Sequence, residues 1–135
     1  MLRNWVHTFI CPSNALAQWM KDSFNIDNIV CIPNFVESKM LHQENFQNDF
    51  QLLFVGRLSK EKGVACLLKA MPKILSVYPD TLLTIVGDGP ERQNLEFLSH
   101  SLKISEHICF AGTIKNEKLG EYYRRAAMCV LPSLW

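Results

Sequence analysis

This sequence of 135 residues has no marked excess of basic or of acidic side chains. Lysine and arginine number 14 and aspartate and glutamate number 13, which gives a formal net charge of +1. Nucleic-acid-binding domains normally carry a strongly basic face, so the overall charge gives no case for that function. Any site for an anion must therefore depend on a local group of cations.

Long hydrophobic runs are also missing. No apolar stretch approaches the roughly 20 residues of a membrane-spanning helix, and the first residues, MLRNWVHTFICPS, lack the long apolar segment of a secretory signal. The sequence therefore predicts a cytoplasmic protein that is neither secreted nor membrane-spanning. Hydrophobic residues make up 48% of the chain, which is enough for a globular core.

Cysteines and histidines show no metal-ligand spacing. The five cysteines are an odd number and most lie in apolar runs, which predicts reduced core thiols rather than disulfides or zinc ligands. For the four histidines we predict structural or surface roles, and we predict no metal site. These residues are Cys11, Cys31, Cys66, Cys109 and Cys129, and His7, His42, His100 and His107.

The most informative stretch is QLLFVGRLSKEKG, residues 51–63. It begins with an uninterrupted apolar run, which is typical of a buried parallel strand, and an amphipathic helical pattern follows it. The loop between them carries Arg57 and Lys62. An arginine fork and a lysine point charge beyond the carboxyl end of a strand suit a diphosphate. The alternative is a solvated loop in which Glu61 offsets part of the charge.

Strand and helix patterns alternate along most of the chain. Residues 1–36 predict a β-α-β unit whose helix is capped by Ser13, and residues 37–50 are mostly polar and predict a linker. From residue 51 onward the alternation predicts an α/β fold, a Rossmann-like doubly wound parallel sheet. We predict strands at residues 7–11, 29–32, 52–55, 82–86, 107–112 and 128–131, and helices that include 64–78, 90–103 and 116–127.

Three of the predicted strands end at glycine, namely Gly56, Gly87 and Gly112. On one edge of a sheet they would line a crevice where a nucleotide can approach the backbone closely. Glycine is also an ordinary way to leave a strand, so the pattern alone does not decide. The run GDGPER has two glycines of a dinucleotide fingerprint but Arg92 in the third position, which makes it a weak NAD signal.

Four segments in this order carry a family resemblance: FVGRLSKEKG, IVGDGPER, FAGTI and CVLPS. With them the chain resembles the retaining nucleotide-sugar glycosyltransferases of GT-B architecture, of the glycosyltransferase family 4 or "glycosyl transferases group 1" type. The upstream segments ICPSNALAQWM and IVCIPN resemble the last β-α-β of that family's acceptor-side domain. The resemblance implies two incomplete domains, residues 1–36 and 51–135, joined by an interdomain linker at 37–50.

The resemblance also implies an activity, the transfer of a sugar from a nucleotide-diphosphate sugar to a glycan or lipid acceptor. It assigns Arg57 and Lys62 as catalytic residues that hold the donor diphosphate and stabilise the leaving group. It implies no metal or other cofactor, and it allows peripheral membrane association of a full-length parent. The remaining donor contacts that it implies are the crevice wall at Gly56 and Gly87 and the base-contacting backbone at Gly112, Thr113 and Ile114.

The sequence departs from the family pattern in two ways. Phe35 stands where the family usually has glycine, and the chain stops at Trp135, before the glutamate pair that follows a Pro-Ser such as Pro132-Ser133. We therefore expect a fragment that exposes apolar surface and is inactive by itself. The alternatives are a non-catalytic nucleotide-binding α/β module or truncated remnant, and a GT-B-like sugar-nucleotide epimerase.

Overall fold

The computed structural model describes residues 7–34 and 50–134. The chain forms two compact units, Met1–His42 and Gln43–Trp135. The predicted linker at residues 37–50 lies outside the described residues, apart from Phe50, as does Phe35.

The first unit is a β-α-β motif. Strand β1 (Phe9–Cys11) leads into helix α1 (Asn14–Phe24), and strand β2 (Ile29–Cys31) pairs with β1 in parallel. The Ser13 side chain accepts a hydrogen bond from the Leu16 backbone N–H at 3.2 Å, so the predicted helix cap is confirmed. Both strands and the helix lie where the sequence predicts them, although each strand is shorter than its predicted range.

This unit exposes much of its apolar surface. Among its described residues, Cys11 is the one buried hydrophobic side chain. Two strands and one helix cannot bury both faces of a sheet, so large side chains on either side of it stay in solvent. Those more than half exposed are Ile10, Trp19, Phe24 and Ile32.

The second unit is a four-stranded parallel sheet with helices on both faces. Its strand order is β5-β4-β3-β6, and all three pairings are parallel, which confirms the predicted doubly wound α/β fold. The strands are β3 (Gln51–Val55), β4 (Leu82–Val86), β5 (Ile108–Gly112) and β6 (Met128–Cys129). The helices are α2 (Val64–Val77), α3 (Arg92–Ser101) and α4 (Asn116–Arg125).

The two faces of the sheet have separate hydrophobic cores. Successive side chains of a strand point to opposite faces, and in β3 the buried Phe54 packs with residues of α2 and α3. Its neighbour Leu53 packs in a second cluster, which includes Leu119 and Tyr122 of α4. Because β4 and β6 lie on either side of β3, the chain reverses its winding direction there. This is the topological switch point beyond which doubly wound sheets bind their ligands.

Two helix starts differ from the sequence prediction. Helix α3 begins at Arg92 rather than Pro90, because the Glu91 N–H donates to the Leu58 carbonyl at 3.0 Å and the Arg92 N–H donates to Gly89 at 3.1 Å. These bonds close a turn before the helix. The residue type of Asn116 predicts a cap for α4, but Asn116 is the first residue of the helix and Lys115 takes the cap position.

The prediction of core thiols is wrong for three of the five cysteines. All five are free, and Cys66, Cys109 and Cys129 are exposed. An apolar run marks a buried element but does not say which face of it is covered. Cys11 and Cys31 are register partners on β1 and β2. Burial raises the pKa of the Cys31 thiol, and the adjacent Cys11 raises it further.

Candidate functional site

The three glycines predicted to line a crevice meet at the carboxyl edge of the second sheet. The Gly56 N–H donates to the Val86 carbonyl at 3.0 Å, and the Gly87 N–H donates to the Gly112 carbonyl at 2.7 Å. Backbone hydrogen bonds therefore link the ends of β3, β4 and β5 directly. We call Gly56, Gly87 and Gly112 the glycine edge.

Position 87 requires a glycine, because the backbones of residues 56 and 87 approach each other closely. Its φ is +128°, and a Cβ there would lie 1.9 Å from the Gly56 carbonyl oxygen. Such a distance is far inside van der Waals contact, and the backbone conformation is one that residues with a side chain rarely adopt. The glycine edge thus presents backbone atoms rather than side chains to a ligand.

The loop after β3, residues 56–63, is the cationic loop of the site. Its buried residue Leu58 forms two backbone hydrogen bonds. The Leu58 N–H donates to the Asp88 carbonyl at 2.9 Å, and the Leu58 carbonyl accepts from the Glu91 N–H. Gly89 allows this contact, since a Cβ there would lie 2.3 Å from the Leu58 oxygen. The cationic loop is therefore fixed to the loop between β4 and α3.

A second attachment joins the cationic loop to the segment after β6. The Leu134 N–H donates to the Glu61 carbonyl at 2.8 Å. Gly63 has φ +67°, and a Cβ on it would lie 2.0 Å from the Pro132 carbonyl oxygen. These contacts bring the loop of β3 against the chain leaving β6, at the switch point of the sheet.

Both predicted diphosphate ligands lie on this fixed loop with their side chains exposed. Arg57 directly follows the glycine edge, and Lys62 lies in the short 3-10 turn Lys60–Lys62. Among the described residues, neither side chain forms an ion pair. The loop also shows no group of three potential metal ligands within the part of the chain that the structure describes. The cations are thus available to an anionic ligand.

Glu61 is the acidic residue of the cationic loop. The hydroxyl of Ser59 donates to its carboxylate, which lowers the pKa of Glu61 below its ordinary value, and the charges of Arg57 and Lys62 lower it further. The carboxylate is therefore ionised at neutral pH and reduces the positive potential of the loop.

Replacing Glu61 by glutamine is expected to tighten the binding of inorganic pyrophosphate about two- to fivefold, the range of an exposed charge pair. The difference should shrink as salt is raised, since exposed charges are screened. An NMR titration at two salt concentrations measures it. Glu117→Gln, an exposed carboxylate on α4, is the control, and equal affinities for wild type and Glu61→Gln would contradict the electrostatic role.

A cavity of about 260 Å³ opens beside the same loop without containing either ligand cation. Lys60 lines it, as do Ser59, the first turn of α2, and Glu91 and Leu95. It lacks Arg57, Lys62 and the glycine edge, so it does not match the predicted diphosphate site. Lys60, which the sequence leaves without a ligand role, faces this cavity.

The predicted base-contacting segment begins at an irregularity in β5. Val86 pairs with Gly112 whereas Ile85 pairs with Phe110, so Ala111 is an extra residue. Gly112 has φ +71°, Thr113 is exposed, and Ile114 packs into the cluster around Leu53. Because the Ile114 side chain is used in packing, this residue can offer a ligand mainly its backbone.

Arg92 is a residue of this edge that the sequence did not single out as a ligand-site residue. Its Nε pairs with Glu96 at 2.6 Å and its Nη2 donates to the Phe110 carbonyl at 3.3 Å. Its Nη1 lies 3.7 Å from the position that a Cβ on Gly112 would take. The four-residue spacing of Arg92 and Glu96 was the available signal, but it predicts only a helix-surface pair.

Comparison with known proteins connects this geometry to a family. The family model described as glycosyl transferases group 1 matches residues 36–135. An uncharacterized glycosyltransferase of Methanocaldococcus jannaschii is 38% identical over 84 residues, which cover 62% of this chain and 21% of that protein. The alpha-monoglucosyldiacylglycerol synthase of Acholeplasma laidlawii is 35% identical over 79 residues, 58% of this chain and 20% of that protein.

The fold of this chain is similar to part of a solved structure. A mutant of S. aureus TarM, crystallised with fondaparinux, alpha-GlcNAc-glycerol and UDP, aligns with a TM-score of 0.84 at 16% identity. The alignment covers 98% of this chain and 26% of TarM. This chain spans about a fifth of the length of the two curated relatives. On the strength of the family model, which matches well over half of its residues, this chain belongs to the glycosyl transferases group 1 family.

Proposed function

We propose that this chain carries the donor-binding part of a retaining transferase of glycosyltransferase family 4 type. The enzyme would move a sugar from a nucleotide-diphosphate sugar to a glycan or lipid acceptor, with retention of the anomeric configuration. Membership of the family supports the enzyme class. Retention and the donor rest on the resemblance of the motifs, and the acceptor class is consistent with the relative that is named as a diacylglycerol glycolipid synthase.

The observation that carries this proposal is the fixed cationic loop at the switch point. When the bond between the anomeric carbon and the diphosphate oxygen breaks, its electron pair stays on the oxygen and negative charge grows there. The acceptor hydroxyl oxygen forms the new bond to the anomeric carbon, and its proton passes to the departing diphosphate. Cations held in place before the reaction stabilise such charge without reorganising. The backbone that carries Arg57 and Lys62 is held in place by the hydrogen bonds of Leu58 and Glu61, so their loop needs no rearrangement to present them.

The rest of the donor is assigned to the glycine edge. In this proposal the diphosphate lies beside Gly56 and Gly87, and the backbone of Gly112, Thr113 and Ile114 contacts the base. We propose that no metal ion is required, since the two cations supply the positive charge that a phosphoryl leaving group needs.

We propose the cytoplasm as the place of action. Five free thiols are typical of a reducing compartment, which supports the cytoplasm. Within residues 7–34 and 50–134, no helix has the length and apolar character to cross a membrane. A lipid acceptor would bring the whole enzyme to the cytoplasmic membrane face as a peripheral protein.

Titration of the ¹⁵N-labelled chain with UDP, GDP and ADP tests the proposal. We expect at least one of them to shift the amide signals of Gly56, Gly87 and Gly112 progressively, while signals of α1 stay unchanged. Uridine, guanosine and adenosine, which lack phosphates, should bind far more weakly. If no nucleoside diphosphate shifts these amides at millimolar concentration, the chain is not a donor-binding unit and the proposal is wrong.

A further inference from the structure

The side chain of Arg92 connects the start of α3 with the end of β5. Its guanidinium lies over the Phe110 ring, 5.3 Å from the ring centroid, and donates to the Phe110 carbonyl at 3.3 Å. The ion pair with Glu96, one helical turn further along α3, holds the Nε of the same guanidinium. Arg92 is thus held by three separate contacts and is partly buried.

The backbone next to this guanidinium is bonded to β4 through the Gly87 N–H, which donates to the Gly112 carbonyl, and Arg92 lies on its other side. The bulge at Ala111 interrupts the pairing of β5 with β4, and Gly112 has no side chain to pack. Among the described residues beyond its chain neighbours, the Arg92 Nη1 is the one atom within 4 Å of the Cβ position at Gly112. The space above Gly112 is otherwise open, so Arg92 is the side chain that borders the open side of this end of β5.

We infer that Arg92 is a positioning residue for the nucleotide base. The inference rests on the proposed function, in which the backbone from Gly112 to Ile114 contacts the base. By holding the Phe110 carbonyl and bordering Gly112, Arg92 sets the position of that backbone. It therefore determines the affinity for the nucleoside part of the donor.

The geometry requires an arginine. The planar guanidinium donates through Nε to Glu96 and through Nη2 to Phe110 while stacking on a ring, and Nη1 still faces Gly112. A lysine ammonium is a point charge without a fixed fork, so it cannot make these contacts together. Keeping the positive charge at this position is consequently not enough to keep the function.

Arg92 lies on different elements from Arg57 and Lys62, so the binding of the diphosphate and the binding of the base can be tested separately. Arg57 and Lys62 follow β3, whereas Arg92 begins α3 and supports the end of β5. Inorganic pyrophosphate probes the cationic loop alone, and a nucleoside diphosphate probes the loop and the base site together. A residue that positions the base should change the second affinity and leave the first unchanged.

The experiment compares wild type, Arg92→Met, Arg92→Lys and Arg57→Ala as full 135-residue chains. Dissociation constants for pyrophosphate and for UDP, GDP and ADP are measured by NMR titration in metal-free buffer. We expect Arg92→Met and Arg92→Lys to raise the dissociation constant of the tightest nucleoside diphosphate about tenfold. Both should keep the wild-type affinity for pyrophosphate, whereas Arg57→Ala should weaken both ligands.

Each other outcome overturns a defined part of this account. Unchanged nucleoside diphosphate affinity in both Arg92 variants, or full recovery in Arg92→Lys, would overturn the positioning role while the donor site stands. An equal loss for pyrophosphate and nucleoside diphosphate would also overturn it, since Arg92 would then act on the whole site. Wild type that binds neither ligand would overturn the proposed function and this inference together.

Discussion

In the proposed transferase, alanine in place of Arg57 or Lys62 is expected to lower turnover by about a hundred- to a thousandfold, the effect of removing one preorganised charge-stabilising donor. The loop around each cation is anchored by backbone bonds at Leu58 and Glu61, so we expect no shift of the loop to replace the lost charge. The turnover number at saturating donor measures the effect. In this chain alone, the affinity for pyrophosphate should fall at least about tenfold.

Lys60→Ala is the matched control for Lys62→Ala. Both lysines belong to the same 3-10 turn, and both are exposed. Lys60, however, lines the separate cavity with Glu91 and Leu95. Its removal should leave turnover near the wild-type value. If Lys60→Ala costs as much as Lys62→Ala, the loop acts through its total charge and the roles assigned to individual cations are wrong.

Replacing Gly87 by alanine is expected to lower the free energy of unfolding by about 3 kcal/mol or more. At φ +128° a side chain is strained, and the new Cβ would lie 1.9 Å from the Gly56 carbonyl oxygen. The atom that the new Cβ meets belongs to the backbone, which cannot rotate away as a side chain can. The ends of β3 and β4 would therefore have to separate. Urea unfolding of the full chain, followed by circular dichroism, measures the change.

Gly120→Ala is the control, and we expect it to change the free energy of unfolding in the opposite direction. Gly120 lies within α4, and the nearest atom to a Cβ there is the Arg124 Nη1 at 3.6 Å, an ordinary contact. Alanine should therefore stabilise the chain by about 0.5–1 kcal/mol, the usual helical preference over glycine. Similar destabilisation by both substitutions would mean that the glycine edge does not have the close contacts described.

The order of elements could be predicted from the sequence because local pattern decides it. The strand at Leu82–Val86 was predicted with its observed bounds, since a short run of apolar and β-branched residues between a turn at Pro79-Asp80 and Gly87 has few other solutions. The start of α3 was missed by two residues. It is set by the hydrogen bond from Glu91 to Leu58, a residue 33 positions earlier in the chain, and no local pattern contains that contact.

The candidate site was predictable in part for the same reason. Three strands ending in glycine, on a sheet predicted to be parallel, must place those glycines on one edge, and the structure puts Gly87 against Gly56 and Gly112. The contacts that hold the site are tertiary and were not predictable. The attachment of Gly63 to Pro132 depends on the strand order, and the role of Arg92 depends on the bulge in β5.

The most direct test of the central claim is a crystal structure of the chain with the nucleoside diphosphate that binds it most tightly. We predict the terminal phosphate within hydrogen-bonding distance of Arg57 and Lys62, and the base against the backbone of Gly112, Thr113 and Ile114. A nucleotide bound in the cavity beside Lys60, or bound in the reverse direction along the glycine edge, would contradict the account.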